Sequence, residues 1–143
     1  MFLRQLCSVT ALVLLAAASV ASAGPTVATE TSRDVGFGFR EVVRDEPNPS
    51  GAFEAVGHFR FLYYRDQQLS QFDSYSIAPS GRYAVFQDGP SGDILLFVTK
   101  SRNRRVLHKY PGALVTRFTW DKGEHAVVME FGSQAKPIRA SVD

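Results

Sequence analysis

The sequence contains one short pattern twice: an apolar, strand-like run, a tight turn with a glycine, and a second apolar run. The first copy occupies residues 74–86, and the second occupies residues 117–128. Aligning Gly81 with Gly123 separates the copies by 42 positions. Because a glycine turn between two apolar runs is typical of a β-hairpin, and this spacing is typical of a repeated four-stranded unit, the pattern predicts antiparallel hairpins.

The rest of the chain is also strand-like. Other runs alternate apolar with polar or small residues, with no helical periodicity of useful length after residue 23. These predicted strands lie at 35–44, 52–65, 69–72, 93–99, 105–108 and 137–142. We therefore expect a single all-β domain over residues 35–143.

The first copy and the strands after it carry a family resemblance. The residues are Ala78-Pro79-Ser80-Gly81-Arg82-Tyr83-Ala84-Val85-Phe86, then a glycine-rich loop, Asp93-Ile94-Leu95-Leu96-Phe97, a basic turn and Arg105-Val106-Leu107. This order resembles the TolB-type propeller repeat, also seen in prolyl-oligopeptidase-like enzymes, and residues 74–131 span about one and a half blades. Ser80 stands where the family prefers Asp, and the second copy lacks the proline.

The chain is too short for a closed ring of such blades. A propeller has at least four blades, and a chain of this length holds fewer than three. We therefore expect blade-like antiparallel hairpins that form a small sandwich, an open barrel or a partial propeller. Association of several copies into a ring is the alternative, so a homo-oligomer is possible.

The first 23 residues have the three parts of a cleavable secretory signal helix. Arg4 precedes the apolar run 9–20, and the small residues 21–23 follow it. The run is shorter than the roughly 20 residues of a membrane-spanning helix, so we expect no membrane span after cleavage. The mature chain begins near Gly24, and residues 24–34, rich in Thr, Ala, Glu and Ser, are expected to form a flexible lead.

The cysteine count and the charge indicate the cell compartment and the class of binding partner. Cys7, in the leader, is the only cysteine, so the mature chain has no disulfide and no thiolate metal site. The predicted signal and the absence of disulfides together favour an exported protein of a bacterial periplasm or the extracellular space. Without Arg4 the chain has 15 basic and 14 acidic residues, and this balance does not favour a nucleic-acid partner.

Two groups of residues are candidate binding sites. The densest basic cluster contains Lys100, Arg102, Arg104 and Arg105; it suits an anionic partner, although a solvated turn that discourages edge pairing explains it equally well. The aromatic residues form the second group, and most of them are expected in the core. The first binding candidates in this group are Tyr64 and Arg60, which lie on the side of the predicted strand 52–65 that mixes polar and apolar residues. Other aromatic residues that could contribute are Phe59, Phe61, Tyr63 and Trp120.

Catalytic motifs are missing from the sequence. His58, His108 and His125 are scattered without metal-ligand spacing, and Gly89-Pro90-Ser91-Gly92 lacks the spacing of a nucleophile elbow. We expect no metal, no cofactor and no catalytic residue. The leading hypothesis is an exported, non-enzymatic module that binds a protein or an envelope polymer, for example an inhibitor or immunity-type protein; a small secreted hydrolase is the alternative.

Cleavage of the leader is directly testable. Protein expressed from the full sequence in a bacterium and recovered from the envelope should begin at or near Gly24, because the residues before it suit a signal peptidase. Intact-mass spectrometry and N-terminal sequencing measure this. A chain that keeps residues 1–23 in the membrane fraction would contradict the prediction.

Overall fold

The computed structural model of the protein describes residues 29–46, 57–133 and 135–143. Every regular element in these ranges is a strand, which confirms the predicted all-β class. No helix occurs among these residues, and so none there is able to cross a membrane. The predicted signal helix lies outside the described residues.

Ten strands form two antiparallel sheets. Strands β1 to β7 make one open sheet in sequence order, and β8 to β10 make a smaller sheet with β9 in the middle. Their bounds are β1 Thr29–Gly36, β2 Phe39–Glu46, β3 Gly57–Tyr64, β4 Gln67–Ile77, β5 Tyr83–Asp88, β6 Ile94–Val98, β7 Asn103–His108, β8 Arg117–Trp120, β9 Ala126–Glu130 and β10 Ile138–Ser141.

Strand β4 joins the two halves of the large sheet. Its first residues pair with β3 and its later residues pair with β5, with an irregularity between Phe72 and Ser74. A bulge of this kind bends a strand, so the first half of the sheet folds over the second. The ring of Phe97 on β6 consequently lies 6.0 Å from that of Phe39 on β2 and 5.3 Å from that of Tyr64 on β3.

The strands β5 and β6 are buried on both faces. Along β5, Ala84 and Phe86 belong to the core shared with β2, β3 and β4, whereas Val85 belongs to a second core. That second core includes Val127 and Met129 of the small sheet. Because successive strand residues point to opposite faces, β5 and β6 form the middle layer between two other layers.

A buried amide fixes the connection between β7 and β8. Gln87 is fully buried in the β5 strand. Its Nε2 donates hydrogen bonds to Gly92 O at 3.0 Å and Ala113 O at 3.1 Å, and its Oε1 accepts one from Val115 N at 2.7 Å. One side chain thus satisfies three backbone groups that would otherwise lack a partner.

The prediction of a single strand over residues 35–44 is wrong. Residues 37 and 38 instead form a hairpin turn between Gly36, the last residue of β1, and Phe39, the first residue of β2. Gly36, Phe37 and Gly38 all have positive φ angles, of 95°, 55° and 84°. The alternation of glycine with apolar residues resembles a strand in sequence, but the same glycines allow the left-handed turn.

The flexible lead predicted for residues 24–34 differs from the structure at residues 29–34, and residues 24–28 lie outside the described residues. Residues 29–34 belong to β1 and pair with residues 40–45 of β2. Their side chains are exposed, so the backbone ladder and polar contacts such as Arg44 to Glu30, at 3.1 Å, hold the strand in place. A composition argument based on apolar burial does not detect such an edge strand.

The two copies of the turn are real, but their offset is 43 and not 42. In the first turn Gly81, with φ of 75°, donates its N–H to Ala78 O. In the second, the residue with positive φ is Glu124, at 58°, and it donates its N–H to Asp121 O. Glu124 therefore occupies the place of Gly81, and Gly123 precedes it. A slip of one residue reverses which face each strand side chain occupies.

Glu124 also links the two turns to each other. Its carboxylate accepts hydrogen bonds from Ser80 N at 2.7 Å and from the Ser80 hydroxyl, and Arg82 lies 3.3 Å away. Burial alone would raise the pKa of Glu124, but the hydrogen bonds from Ser80 and Arg82 outweigh it and lower the pKa. This contact fastens the small sheet to the large one.

Replacement of Gln87 measures how much its amide stabilises the fold. Gln87→Met keeps the length of the side chain but removes the hydrogen bonds to three backbone groups, one buried and two partly buried, so we expect a loss of about 2–4 kcal/mol in the free energy of unfolding. Urea denaturation measures it. Gln68→Met, at an exposed position, is the control and should change stability by about 0.5 kcal/mol or less. Equal effects would contradict this role.

Candidate functional site

The basic cluster does not form one surface. Arg104 lies opposite Phe97 and Arg105 lies opposite Leu96, so the two arginines are on opposite faces of β7. Arg104 donates to the backbone oxygen of Leu69 on β4, and Arg105 donates to the backbone oxygen of Val142. Each arginine attaches β7 to a different layer of the fold.

The turn before β7 makes a third attachment. Arg102 forms an ion pair with Asp66 at 2.9 Å, and its backbone oxygen accepts a hydrogen bond from Gln67 Nε2 at 3.4 Å. These contacts join the β6–β7 turn to the β3–β4 turn. Lys100 is exposed in the same turn. The binding role proposed for the cluster stays a prediction, and three of its four members have structural contacts.

Tyr64 lies in the core and not on an accessible surface. Only 8% of the residue is exposed, and its ring packs between Phe39 at 4.9 Å and Phe97 at 5.3 Å. The orientation predicted for β3 is therefore reversed. The side with Leu62 and Tyr64 points into the first core, and the side with Phe61 and Tyr63 points away from it. We remove Tyr64 from the candidate binding residues.

Arg60 belongs to a network around a buried carboxylate. Glu41 on β2 accepts hydrogen bonds from Arg60 Nε and Nη2, at 3.2 and 3.1 Å, from Arg33 at 3.0 Å and from the Tyr75 hydroxyl at 3.0 Å. The Arg60 guanidinium also lies 4.7 Å from the centre of the Phe72 ring. Arg60 closes the edge of the first core, and half of its side chain remains exposed.

The network changes the acidity of its members. Burial alone would raise the pKa of Glu41, but the hydrogen bonds from Arg60, Tyr75 and Arg33 outweigh it and hold the pKa below its ordinary value of 4.5. Burial and the Glu41 carboxylate raise the pKa of Tyr75. The carboxylate thus remains charged at neutral pH, with three donors around it.

The side of β2 and β3 that faces away from the first core carries aromatic and arginine side chains next to one another. Residues that lie directly opposite on neighbouring strands share a face. Three such pairs point away from the first core, and we call them the outer face: Arg40 with Tyr63, Val42 with Phe61, and Arg44 with Phe59. Neither core contains any residue of this face. Its three aromatic residues are half-buried and consecutive along one side of β3.

Arginine side chains lie over the aromatic rings of the outer face. The Arg40 guanidinium is 4.4 Å from the centre of the Tyr63 ring, and that of Arg44 is 4.9 Å from the Phe61 ring. Both distances are within the range of cation–π attraction. Val42, which lies opposite Phe61 on the same face, is completely buried. The result is a mixed surface of planar cations and aromatic rings.

A small pocket opens at one end of the outer face. It has a volume of about 180 Å³ and is lined by Ser32, Asp34, Gly38, Phe39, Arg40 and Arg65. Arg40 donates from Nε to the backbone oxygen of Arg65 and from Nη1 to the Ser32 hydroxyl, both at 3.4 Å. Arg40 is thus shared by the pocket and the aromatic surface.

Trp120, the other aromatic candidate, is part of the packing between the sheets. Its ring stacks on Tyr83 with 6.2 Å between the ring centres. Its Nε1 donates a hydrogen bond to the Ser76 hydroxyl at 3.1 Å. Trp120 therefore connects β8 to β4.

No histidine joins a carboxylate to a serine hydroxyl in the part of the chain that the structure describes. His58 Nδ1 lies 2.5 Å from Asp45, and His125 Nδ1 lies 2.7 Å from Asp143, but neither histidine has a serine hydroxyl among its hydrogen-bond partners. The Ser91 hydroxyl donates to Asp88 at 2.6 Å, as turn residues commonly do. Among these same residues, no group of three or more His, Cys, Asp or Glu is placed to hold a metal ion.

Comparisons of the chain with known protein families, with curated proteins and with solved structures found no match. The functional inference therefore depends on the surface itself. The sequence had one signal for that surface, namely the alternation of Phe59, Phe61 and Tyr63. It did not show that this side of β3 points outward, nor that Arg40 and Arg44 lie over the rings.

The Glu41 network predicts a pH-dependent stability. A carboxyl group with a lowered folded-state pKa stabilises the fold above its unfolded pKa, near 4.5 here, and loses that contribution as the pH falls through the folded pKa. Glu41→Gln should therefore cost about 1–3 kcal/mol at pH 7 and much less at acidic pH. Urea denaturation at several pH values measures the difference. A deficit that is the same at every pH would contradict this assignment.

Proposed function

We propose that the protein is an exported, non-enzymatic module that binds another protein through its outer face. The observation that carries this proposal is the orientation of β3, which points three consecutive aromatic side chains away from both cores. The free face of an antiparallel sheet is ordinarily polar. Within the described residues neither core extends over this aromatic face, and an aromatic face of this kind is typical of an interaction surface.

The composition of the outer face favours a protein partner over an envelope polymer. Tyrosine and arginine are among the residues that contribute most to protein interfaces. A glycan would instead need bare ring faces for stacking, whereas Arg40 and Arg44 lie over Tyr63 and Phe61. A protein has acidic and apolar groups together, and both complement a surface of this kind.

The sequence supplies three further parts of the proposal, namely export, an inhibitor or immunity-type role, and a blade-like repeat. The leader predicts export, and an inhibitor or immunity-type protein of the cell envelope is the specific role that we favour. We also infer that β4 to β7 correspond to one blade of the TolB-type repeat. The four-stranded antiparallel order of these strands and the turn with Gly81 support this inference.

The proposal is tested by capture with matched variants. Tagged protein is incubated with an envelope extract of the producing cells, and bound proteins are identified by mass spectrometry. A partner should bind the wild type and should be lost with Phe61→Ser. Phe61→Ser removes a central aromatic residue, so we expect about 2 kcal/mol weaker binding, or roughly thirtyfold. Titration with the purified partner measures this change.

Two further variants test whether the loss of binding is specific to the outer face. Arg44→Ala removes a guanidinium from the outer face without entering either core, and it should also weaken binding. Leu114→Ser removes an apolar side chain that is 58% exposed elsewhere, and it should have no effect. A partner that is lost equally with Leu114→Ser, or capture of glycan and no protein, would overturn the proposal.

A further inference from the structure

Within the described residues, β1 is the strand whose sheet edge is least covered. The order of the large sheet leaves one edge of β1 and one edge of β7 without a neighbouring strand. Strand β7 contacts β10 of the small sheet, and its Arg105 donates to the backbone oxygen of Val142. In the small sheet, β8 contacts β4. By contrast, β1 makes an extended contact with β2 alone among the described strands.

The composition of β1 does not prevent another strand from pairing with it. A free sheet edge presents N–H and C=O groups to a further strand, and proteins commonly protect such edges with proline, lysine or a bulge. Residues 29–34 contain neither proline nor lysine, and they are exposed. The irregularity in the pairing of β1 with β2 lies only at the turn, between Asp34 and Gly36. Residues 29–34 therefore form a regular, exposed edge.

We propose that β1 pairs with β1 of a second copy of this chain, antiparallel and about a two-fold axis at Thr31. Such an axis, perpendicular to the sheet, joins the two large sheets into one and keeps each residue on the same face in both copies. Residues directly opposite each other share a face, so both must be even-numbered or both odd-numbered. One residue therefore lies opposite its own copy at the axis.

Charge excludes the other registers. Because β1 comprises residues 29–36, only registers centred on residues 31 to 34 pair at least five of its residues. A centre at Ser32 places Glu30 opposite Asp34. A centre at Arg33 or at Asp34 places two like charges opposite each other at the axis. Like charges directly opposite on neighbouring strands are destabilising, so these three registers are unfavourable.

The register centred on Thr31 opposes no like charges. It places Thr31 opposite Thr31, Glu30 opposite Ser32 and Thr29 opposite Arg33. Threonine pairs and pairs of hydroxyl with charged side chains are compatible with cross-strand hydrogen bonds. The sequence of β1 is therefore complementary to itself in this register.

The inference goes beyond the proposed function and does not depend on it. Glu30 and Ser32 lie opposite Arg44 and Val42 of the outer face. Because the axis keeps each face on the same side, the outer faces of the two copies would lie on one side of the joined sheet. The dimer would thus present two copies of that surface together.

Substitutions at the axis test this register. Protein expressed from the full sequence and purified in the form that the cell produces is studied by sedimentation equilibrium over a range of concentrations. The wild type should show a reversible monomer–dimer equilibrium, because one pair of edge strands is a small interface. Thr31→Glu places two carboxylates opposite each other and should weaken the dimer about tenfold or more. Thr31→Lys should do the same, and an equimolar mixture of the two variants should restore the dimer.

Thr29→Glu is the matched control, because it adds the same charge to the same face of β1. In the proposed register residue 29 lies opposite Arg33 of the other copy. An opposite-charge pair across two strands is favourable, so this variant should keep the dimer or tighten it.

Cysteine cross-linking measures the register directly. A Cys7→Ser background leaves each introduced cysteine as the only thiol. Thr31→Cys should form a disulfide-linked dimer under mild oxidation, since directly opposite Cα atoms are about 4.5–5.5 Å apart. Thr29→Cys should not, because its two copies are offset by four residues along the strands, or about 13 Å.

Several results would overturn the inference. These are a wild type that stays monomeric at every concentration, equal effects of Thr31→Glu and Thr29→Glu, equal cross-linking through residues 29 and 31, or a dimer that is lost with Phe61→Ser and kept with Thr31→Glu. A monomeric wild type whose partner is lost with Thr31→Glu would assign the edge to the partner instead. If the dimer forms as predicted but capture does not depend on Phe61, only the proposed function fails.

Discussion

The burial of β5 and β6 on both faces is the constraint on which the rest of the structure depends. Phe86 and Val85 are neighbours in sequence, yet each needs its own apolar layer because they point to opposite sides. The chain supplies one layer by bending at β4 and folding β2 and β3 back. It supplies the other with the small sheet.

Buried polar side chains then fix how the layers are arranged. Gln87, Glu41 and Glu124 are all buried, and each hydrogen-bonds groups from separate parts of the chain. Apolar contacts are tolerant of small shifts, whereas an unpaired buried polar group is costly. These three residues therefore define specific positions for the β7–β8 connection, the edge of the first core and the contact between the two turns.

The outer face is a consequence of the same arrangement. Once Leu62 and Tyr64 fill the first core, Phe59, Phe61 and Tyr63 must point the other way. Arg40 and Arg44 then cover part of the Tyr63 and Phe61 rings, which lowers the apolar area that they expose. The alternation of β3 was visible in the sequence. The sequence did not show which side of the strand is buried, because both sides contain aromatic residues. Strand alternation also divides the predicted basic cluster, since Arg104 and Arg105 are adjacent and so lie on opposite faces of β7.

The sequence by itself determined the all-β class, most of the strands and the two glycine-containing turns. These features are local, because alternation and turn residues act over a few positions. The sequence did not reveal the turn at residues 37 and 38, the exposed edge strand β1, or the 43-residue offset that places Glu124 where Gly81 stands in the first turn. Only the tertiary structure decided which face of β3 is buried. That choice depends on the bend in β4, which folds the first half of the large sheet over the second and so brings together residues that are distant in the chain.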